Sequence, residues 1–308
     1  MKTIVIAGAG WAGCAAAVAA TAQGARVILL ERTDMILGTG LAGGILRNNG
    51  RLTATLELEA MGGGSLFSAL DPVLRHRNIS FPGHEHADLY DIARAPGAVL
   101  ALLKSRGVML CTQARVTGVT LSQDRTAIES VTDSQGNIYP ADAFLDTTGT
   151  AGPMGNCTRY GNGCATCVLR CPSFGGRVSL AALAGVSEFA ASGPGGRTGA
   201  MSGSCKLMKE SLSPELSRQL TETGVAVISL PPHLQEDHLS IKACQQYALP
   251  EFAENLVLLD TGHAKMMAPF FPLQKLHQIP GLENARYEDP YAGGKGNSMR
   301  FFAMCPRQ

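Results

Sequence analysis

Three glycines near the N-terminus constrain the fold of this chain more than any other feature. Residues 3–7 (TIVIA) have the length and β-branched content of a buried strand, and Gly8, Gly10 and Gly13 follow at once in the pattern G-x-G-x-x-G. An alanine-rich segment typical of a helix comes next, and then a second short apolar run, residues 26–30. This order predicts a βαβ unit that opens an α/β domain.

The spacing of these glycines also predicts a ligand. Gly8 permits the tight turn, Gly10 lets a pyrophosphate approach the backbone, and Gly13 lets helix and strand pack closely. The helix start offers unpaired N–H groups to phosphate, and Glu31 ends the second strand, where a carboxylate can accept from ribose hydroxyls. We therefore expect a dinucleotide site. The alternative is a glycine-rich helix start with no ligand.

A second motif is a group of four closely spaced cysteines. Cys157, Cys164, Cys167 and Cys171 lie within fifteen residues, and Pro172 follows directly. The C-x2-C-x3-C-P part resembles the close-packed half of a bacterial ferredoxin motif, with the fourth thiolate supplied from upstream. This favours a [4Fe-4S] cluster. A tetrahedral zinc site, a redox disulfide pair and buried structural thiols remain open as alternatives.

Composition sets bounds on partners and location. The chain has 308 residues, a net charge of +1 and 45% hydrophobic residues, so it can bury a sizeable core but shows no charge excess typical of nucleic-acid binding. The sequence contains no run of eighteen apolar residues, so it predicts no membrane span. Glycines interrupt the apolar N-terminus, which argues against a signal peptide. We expect a cytoplasmic protein with reduced thiols, acting on a small molecule or an electron carrier.

Further stretches resemble the FAD-dependent oxidoreductase superfamily with the glutathione-reductase-type FAD domain. Residues 27–44 resemble its second strand, acid and glycine-rich loop, and residues 89–96 (LYDIARAP) lead into a helix and further strands. Residues 144–149 (FLDTTG) resemble the strand with a Thr-Gly end that lies beneath FAD in such proteins. The resemblance covers about residues 1–152 and implies FAD rather than NAD.

The resemblance implies a fold and a set of contacts. We expect an α/β protein: a Rossmann-like FAD-binding domain over residues 1–152, with an inserted β-meander and an insert at about 51–88, and then a cysteine-bearing cap over residues 153–308. The residues expected to contact FAD are Gly8, Gly10, Trp11, Ala12, Gly13, Glu31, Arg32, Gly38, Gly43, Val116, Thr148 and Gly149.

A shorter stretch points to one branch of that superfamily. Residues 276–285 (LHQIPGLENA) resemble the glucose-inhibited-division-A-like flavoproteins, which modify tRNA. In those proteins a later glycine-rich segment returns to the flavin. Here residues 291–297 (YAGGKGN) serve as a shortened return segment, or another subunit, such as a partner or the second copy in a homodimer, completes the flavin site.

Several other side chains are candidates for catalysis. His84 and His86 place two imidazoles on one face of an extended segment, as a metal pair or a proton-transfer site, and Cys205 is an isolated thiol. His263 and Lys265 are candidates for binding an anionic substrate, or they lie on a helix surface. The function predicted overall is an FAD-dependent oxidoreductase coupled to an iron–sulfur cluster. The alternatives are a tRNA-modifying flavoenzyme and an electron-transfer subunit completed by a partner.

Overall fold

The computed structural model describes most of the N-terminal half of the chain and separate parts of the rest. The residues described are 1–42, 47–48, 56–57, 59–82, 84–149, 154–155, 171–188, 206–235, 254–267 and 273–289.

A four-stranded parallel sheet organises the N-terminal half. Its strands are β1 (Thr3–Ala7), β2 (Arg26–Leu30), β6 (Met109–Cys111) and β10 (Ala143–Asp146), in the order β10-β1-β2-β6. Strands β1 and β2 have the bounds that the sequence predicts. Both are buried along most of their length, as strands covered on two faces must be.

Helices cover one face of this sheet. They are α1 (Trp11–Ala22), α2 (Gly38–Ala42), α3 (Ser65–Leu70) and α4 (Ala95–Ser105). A π-helical turn (Glu59–Gly63) precedes α3, and a 3-10 turn (Asp71–Val73) follows it. Ile6 and Leu29 of the sheet pack against apolar residues of α1, α3 and α4 in one core. Gly24 follows α1 with φ +77°, which fits its predicted place after the helix.

An antiparallel meander covers the other face. It consists of β7 (Val116–Leu121), β8 (Ile128–Asp133) and β9 (Ile138–Pro140). Its Val116 and Val131 pack with Val5 and Ile28 of the parallel sheet. The predicted α/β domain with an inserted meander is confirmed, because the parallel sheet lies between helices and this three-stranded layer.

Two further sheets lie apart from the parallel sheet and the meander. The first has the order β3-β5-β4, with β3 (Arg47–Asn48), β4 (Leu74–Phe81) and β5 (His84–Tyr90). The second has the order β12-β13-β14-β11-β15. Its strands are β11 (Lys206–Leu207), β12 (Val225–Ser229), β13 (Asn255–Asp260), β14 (Ala264–Met266) and β15 (Tyr287–Asp289).

Short helices complete the described structure. They are α5 (Cys171–Phe174), α6 (Leu180–Leu183), α7 (Pro214–Thr223), α8 (Leu273–Leu276) and the 3-10 turns Lys209–Ser211 and Pro232–Leu234. Leu276, Ile279, Leu282 and Ala285, from the stretch that resembles the division-A-like proteins, pack in the core of the five-stranded sheet. No helix within the described ranges is long and apolar enough to cross a membrane.

The hairpin β4–β5 joins the five-stranded sheet to the rest of the molecule. Phe81, Ala87 and Leu89 of the hairpin pack against Val257 and Leu259 of β13. This contact holds the five-stranded sheet beside the N-terminal domain, where its residues can reach the domain's ligand site.

A buried ion network strengthens the same contact. The Asp260 carboxylate is fully buried and accepts hydrogen bonds from Arg75 Nε at 3.1 Å and Arg75 Nη2 at 3.0 Å. His76 Nε2 lies 3.0 Å from Asp260 Oδ2, and Lys209 Nζ lies 3.2 Å from Asp260 Oδ1. Burial alone would raise the pKa of Asp260, but the hydrogen bonds from His76 and Arg75 hold that pKa below its usual value.

Candidate functional site

The loop between β1 and α1 has the geometry of a phosphate-binding turn. A Cβ on Gly8, where φ is +103°, would lie 2.5 Å from the carbonyl oxygen of Thr147. A Cβ on Gly13 would lie 1.8 Å from the carbonyl oxygen of Gly8, so α1 packs directly on the loop. Gly10, in contrast, has open space where its Cβ would be. Two glycines therefore permit close packing, and the third leaves room for a ligand.

The start of α1 suits an anion. Gly10 is the N-cap residue and has no side chain to satisfy the first N–H groups of the helix, and no acidic residue lies in the first turn. These N–H groups and the positive end of the helix dipole face the open side at Gly10. A phosphate is the kind of group that such a helix start binds.

Glu31 fixes this loop to the end of β2. Its side chain is only 5% exposed. Its Oε2 accepts from the N–H of Ala9 and its Oε1 accepts from the N–H of Thr33, both at 2.9 Å. A carboxylate has about four acceptor positions, so a ribose hydroxyl can still bind.

Burial and the charge of Glu31 raise the pKa of Cys14 to about 12, which keeps that thiol protonated.

Thr147 holds the loop from the other side, a role that the sequence did not reveal. Its hydroxyl group donates to backbone carbonyl oxygens of the loop. Oγ1 lies 2.9 Å from the oxygen of Ala7 and 2.7 Å from that of Gly8. The predicted FAD contacts are instead its neighbours Thr148 and Gly149. The signal was present, because a hydroxyl that follows a parallel strand lies at the edge where neighbouring strands end.

These elements surround a cavity of about 550 Å³ at the carboxyl ends of β1, β2 and β10. This volume is in the range of cofactor and substrate pockets. The lining includes ten of the twelve residues expected to contact FAD: Gly8, Gly10, Trp11, Ala12, Glu31, Arg32, Gly38, Val116, Thr148 and Gly149. Gly13 packs beneath the loop, and Gly43 lies outside the described residues.

Trp11 forms part of one wall. Its ring stacks on Tyr90 with 6.1 Å between centroids, and a Cβ on Gly40 would lie 1.8 Å from its indole Nε1. Gly40 is therefore needed to admit the indole. Sequence reasoning missed this because the two residues are 29 positions apart and no local pattern links them.

Two arginines connect the cavity to the segment that follows the cysteine motif. Arg32 Nη1 donates to the carbonyl oxygen of Gly175, and Arg115 Nε donates to that of Gly176 at 3.0 Å. Both arginines line the cavity. Gly175 and Gly176, which follow Cys171 by four and five residues, are therefore held at the end of the cavity where Glu31 lies.

The five-stranded sheet also contributes residues to the lining of the cavity. Lys206 of β11 and His263, in the turn before β14, both line the cavity. The N–H of Ile92 donates to the carbonyl oxygen of Thr261 at 3.2 Å, which fixes this turn beside the cavity-lining Ile92. The predicted pair His263 and Lys265 thus lies on a turn and a strand, not on a helix.

The histidine pair does not form the predicted arrangement. His84 is buried and stacks on Phe81 with 4.5 Å between ring centroids. His86 is exposed, and its Nδ1 lies 2.7 Å from Asn78 Oδ1. The expectation of one shared face is wrong because His86 has φ +57°, which interrupts the alternation of the strand. Neither residue lines the cavity.

The cysteine predictions fall mostly outside the described residues. Cys157, Cys164, Cys167 and Cys205 are not described, and Cys171 is described only as the first residue of α5. Within the described part of the chain, no group of three or more histidine, cysteine or acidic residues is arranged to hold a metal ion.

Comparison with known families agrees with the geometry of this site. Residues 3–154 match the model of a family described as FAD dependent oxidoreductase. The match covers just under half of the chain. The family's cofactor, FAD, fits the glycine loop, the open helix start and the buried acid described above.

One solved structure extends the likeness in fold. GidA from Aquifex aeolicus is 15% identical, with a TM-score of 0.56 over 94% of this chain and 54% of GidA. The chain thus spans about half the length of that protein. A 3-ketosteroid-Δ4-(5α)-dehydrogenase from Rhodococcus jostii RHA1 is 14% identical over 52% of this chain and 48% of its own, with a TM-score of 0.39. No curated protein sequence matches the chain.

Proposed function

We propose that this protein is an oxidoreductase that binds FAD in the cavity at the carboxyl ends of β1, β2 and β10 and acts on a small molecule. One observation carries the proposal: the helix start at Gly10 is open, uncapped and adjacent to a buried acid whose oxygens are already oriented by two backbone N–H groups. The family assignment of residues 3–154 supports the same cofactor.

In this proposal, each part of the cofactor has a corresponding part of the cavity. The N–H groups at the start of α1 would hold the pyrophosphate, and Glu31 would accept from the adenosine ribose. Bound FAD would supply hydride transfer, which protein side chains do not provide by themselves. Trp11, Ile36 and Val178 give the cavity apolar walls that exclude water from the bound ring systems.

FAD binding can be measured with a probe that the chain already contains. Trp11 is the only tryptophan and lines the cavity, so titration of the full chain with FAD should quench its fluorescence with one FAD per chain. NAD serves as the control ligand and should quench less at equal concentration. If FAD neither quenches Trp11 nor stays with the protein through gel filtration, the proposed cofactor is wrong.

We further propose that Cys157, Cys164, Cys167 and Cys171 hold a [4Fe-4S] cluster that exchanges single electrons with the flavin. Support comes from the spacing of the four thiols and from Arg32 and Arg115, which anchor the segment following Cys171 at the cavity. A zinc ion bound by the same thiols would instead have a structural role.

Metal content separates these two possibilities. Protein purified without oxygen should contain about four irons per chain, the number in such a cluster. Cys164→Ala should lose the iron and keep the flavin, whereas Cys111→Ala, a change to a cysteine in β6 outside the motif, should keep both. About one zinc per chain, or no metal at all, would overturn the iron–sulfur proposal and leave the FAD proposal standing.

A further inference from the structure

A histidine and a glutamate form a hydrogen-bonded pair at the cavity. His263, in the turn between β13 and β14, lines the cavity. Its Nδ1 lies 2.9 Å from Oε2 of Glu288, which belongs to β15. A carboxylate can only accept a hydrogen bond, so a neutral imidazole in this pair carries its proton on Nδ1. Its Nε2 is then left as an acceptor.

The second ring nitrogen is available to a ligand. Within the part of the chain that the structure describes, Glu288 is the one group joined to the His263 ring by a hydrogen bond or an ion pair. His263 is also the one imidazole among the described residues that line the cavity. Nε2 of His263 can therefore accept a hydrogen bond from a molecule bound there.

The turn that carries His263 is held from several sides. The Asp260 carboxylate at its start is fixed by the ion network and accepts from the N–H of Gly262 at 3.1 Å. The N–H of Thr261 donates to the His263 carbonyl oxygen at 3.1 Å, and the N–H of Ile92 donates to the carbonyl oxygen of Thr261 at 3.2 Å. A reacting group that is fixed before its ligand binds needs less ordering during the reaction.

Glu31 and Glu288 are suited to different roles. Glu31 is 5% exposed, and both of its oxygens accept from backbone N–H groups of the glycine loop and its surroundings. The Glu288 side chain is 36% exposed and holds the imidazole instead. An imidazolium formed at His263 would lie beside this carboxylate, as in a catalytic dyad, and the exposure of Glu288 gives the proton a route to water.

We propose that His263 is the catalytic base of this site and that the substrate carries a hydroxyl group on the carbon that is oxidised. The inference rests on the proposed function, since it names the substrate class for the FAD cavity. The O–H bond breaks and its proton goes to Nε2 of His263, while the C–H bond breaks and its hydride goes to the oxidised flavin. A C=O bond forms, so both electrons and both hydrogens are accounted for.

Magnetic resonance of the histidine nitrogens tests the pair without a substrate. The chain has seven histidines, and the signal that His263→Gln removes belongs to His263. In FAD-loaded protein, neutral His263 should carry its proton on Nδ1. A proton on Nε2 would overturn the proposal, because that nitrogen could not then accept one.

A chromogenic phenol tests the proton transfer. 4-Nitrophenol changes its absorption spectrum when it loses its hydroxyl proton, and it is titrated into FAD-loaded protein at a pH at which the free probe is mostly protonated. Bound to wild type, it should show the phenolate spectrum. His263→Gln should lower the ratio of deprotonated to protonated bound probe about tenfold or more, as expected for loss of a hydrogen bond between charged groups. The control His233→Gln changes an exposed histidine that contacts Gln278 and should leave this ratio unchanged.

Separate readouts distinguish the possible failures. Wild type that does not bind the probe, or binds it fully protonated, overturns the proposal. So does a His263→Gln variant with the wild-type ratio, since the charge of Lys206 or the cofactor would then account for the phenolate. If His263→Gln does not fold, Glu288→Ala, at a partly exposed position, must lower the ratio. If wild type fails to bind FAD, the proposed function fails, and both measurements on FAD-free protein still test the pair.

Discussion

Replacing Glu31 with glutamine tests how the phosphate loop is held. Both carboxylate oxygens accept from buried backbone N–H groups, those of Ala9 and Thr33, at 2.9 Å. A glutamine amide has one oxygen, so in either orientation its NH2 group faces one of the two N–H donors. The variant thus loses one charge-assisted hydrogen bond, about 1.5–3 kcal/mol, and leaves a buried donor unpaired. We expect Glu31→Gln to lower the free energy of unfolding by about 3 kcal/mol.

The effect can be measured in two ways. Urea unfolding followed by circular dichroism gives the change in stability, and quenching of Trp11 by FAD gives the change in affinity, expected to be at least tenfold because the loop is no longer fixed. The control is Glu129→Gln, which makes the same change at an exposed position of β8. The reasoning is refuted if Glu31→Gln unfolds within about 0.5 kcal/mol of this control, the usual range for surface substitutions.

Two further substitutions test the packing of the glycine loop and the join between the sheets. Gly13→Ala places a Cβ 1.8 Å from the Gly8 carbonyl oxygen and should lower FAD affinity at least tenfold in the Trp11 titration, whereas Gly97→Ala, with nothing near its Cβ in α4, should leave FAD affinity unchanged. Asp260→Asn should lower the free energy of unfolding at pH 7 by about 3 kcal/mol, because it removes the buried carboxylate charge that Arg75, His76 and Lys209 share. Since the pKa of Asp260 is lowered in the folded protein, its stabilisation is complete above the unfolded pKa of about 3.9 and is lost as pH falls through the lower folded value. Urea unfolding between pH 7 and pH 3 should therefore show wild type and variant converging, and a constant difference would contradict the assignment.

The dinucleotide unit was predictable because its determinants are local. Strand, glycine loop, helix and acid lie within 31 residues, and each glycine has a separate steric reason that any similar loop would share. The strands β1 and β2 accordingly have the predicted bounds. The start of α1 differs from the prediction. The helix begins at Trp11, three residues before the alanine-rich segment, because Gly10 acts as its N-cap.

The walls of the cavity were less predictable because they depend on contacts between distant residues. Thr147 reaches the loop from 139 positions away, and Arg32 meets Gly175 from 143 positions away. Neither pairing has a signature in either local segment. The histidine pair was misread for a related reason: the alternation expected of an extended segment assumes regular backbone angles, and the positive φ of His86 breaks it.

The two walls of the cavity differ in the groups that they present to a ligand. The wall built on β1 and α1 offers backbone groups to a phosphate, so its chemistry depends on glycine spacing and can be predicted from the local sequence. The wall built on β11 and the turn before β14 presents side chains, and these reach the cavity only because the hairpin β4–β5 and the Asp260 network hold the five-stranded sheet in place. Asp260→Asn should therefore act on the two walls differently. It should lower the free energy of unfolding and leave FAD affinity in the Trp11 titration unchanged, because it loosens the five-stranded sheet and not the glycine loop.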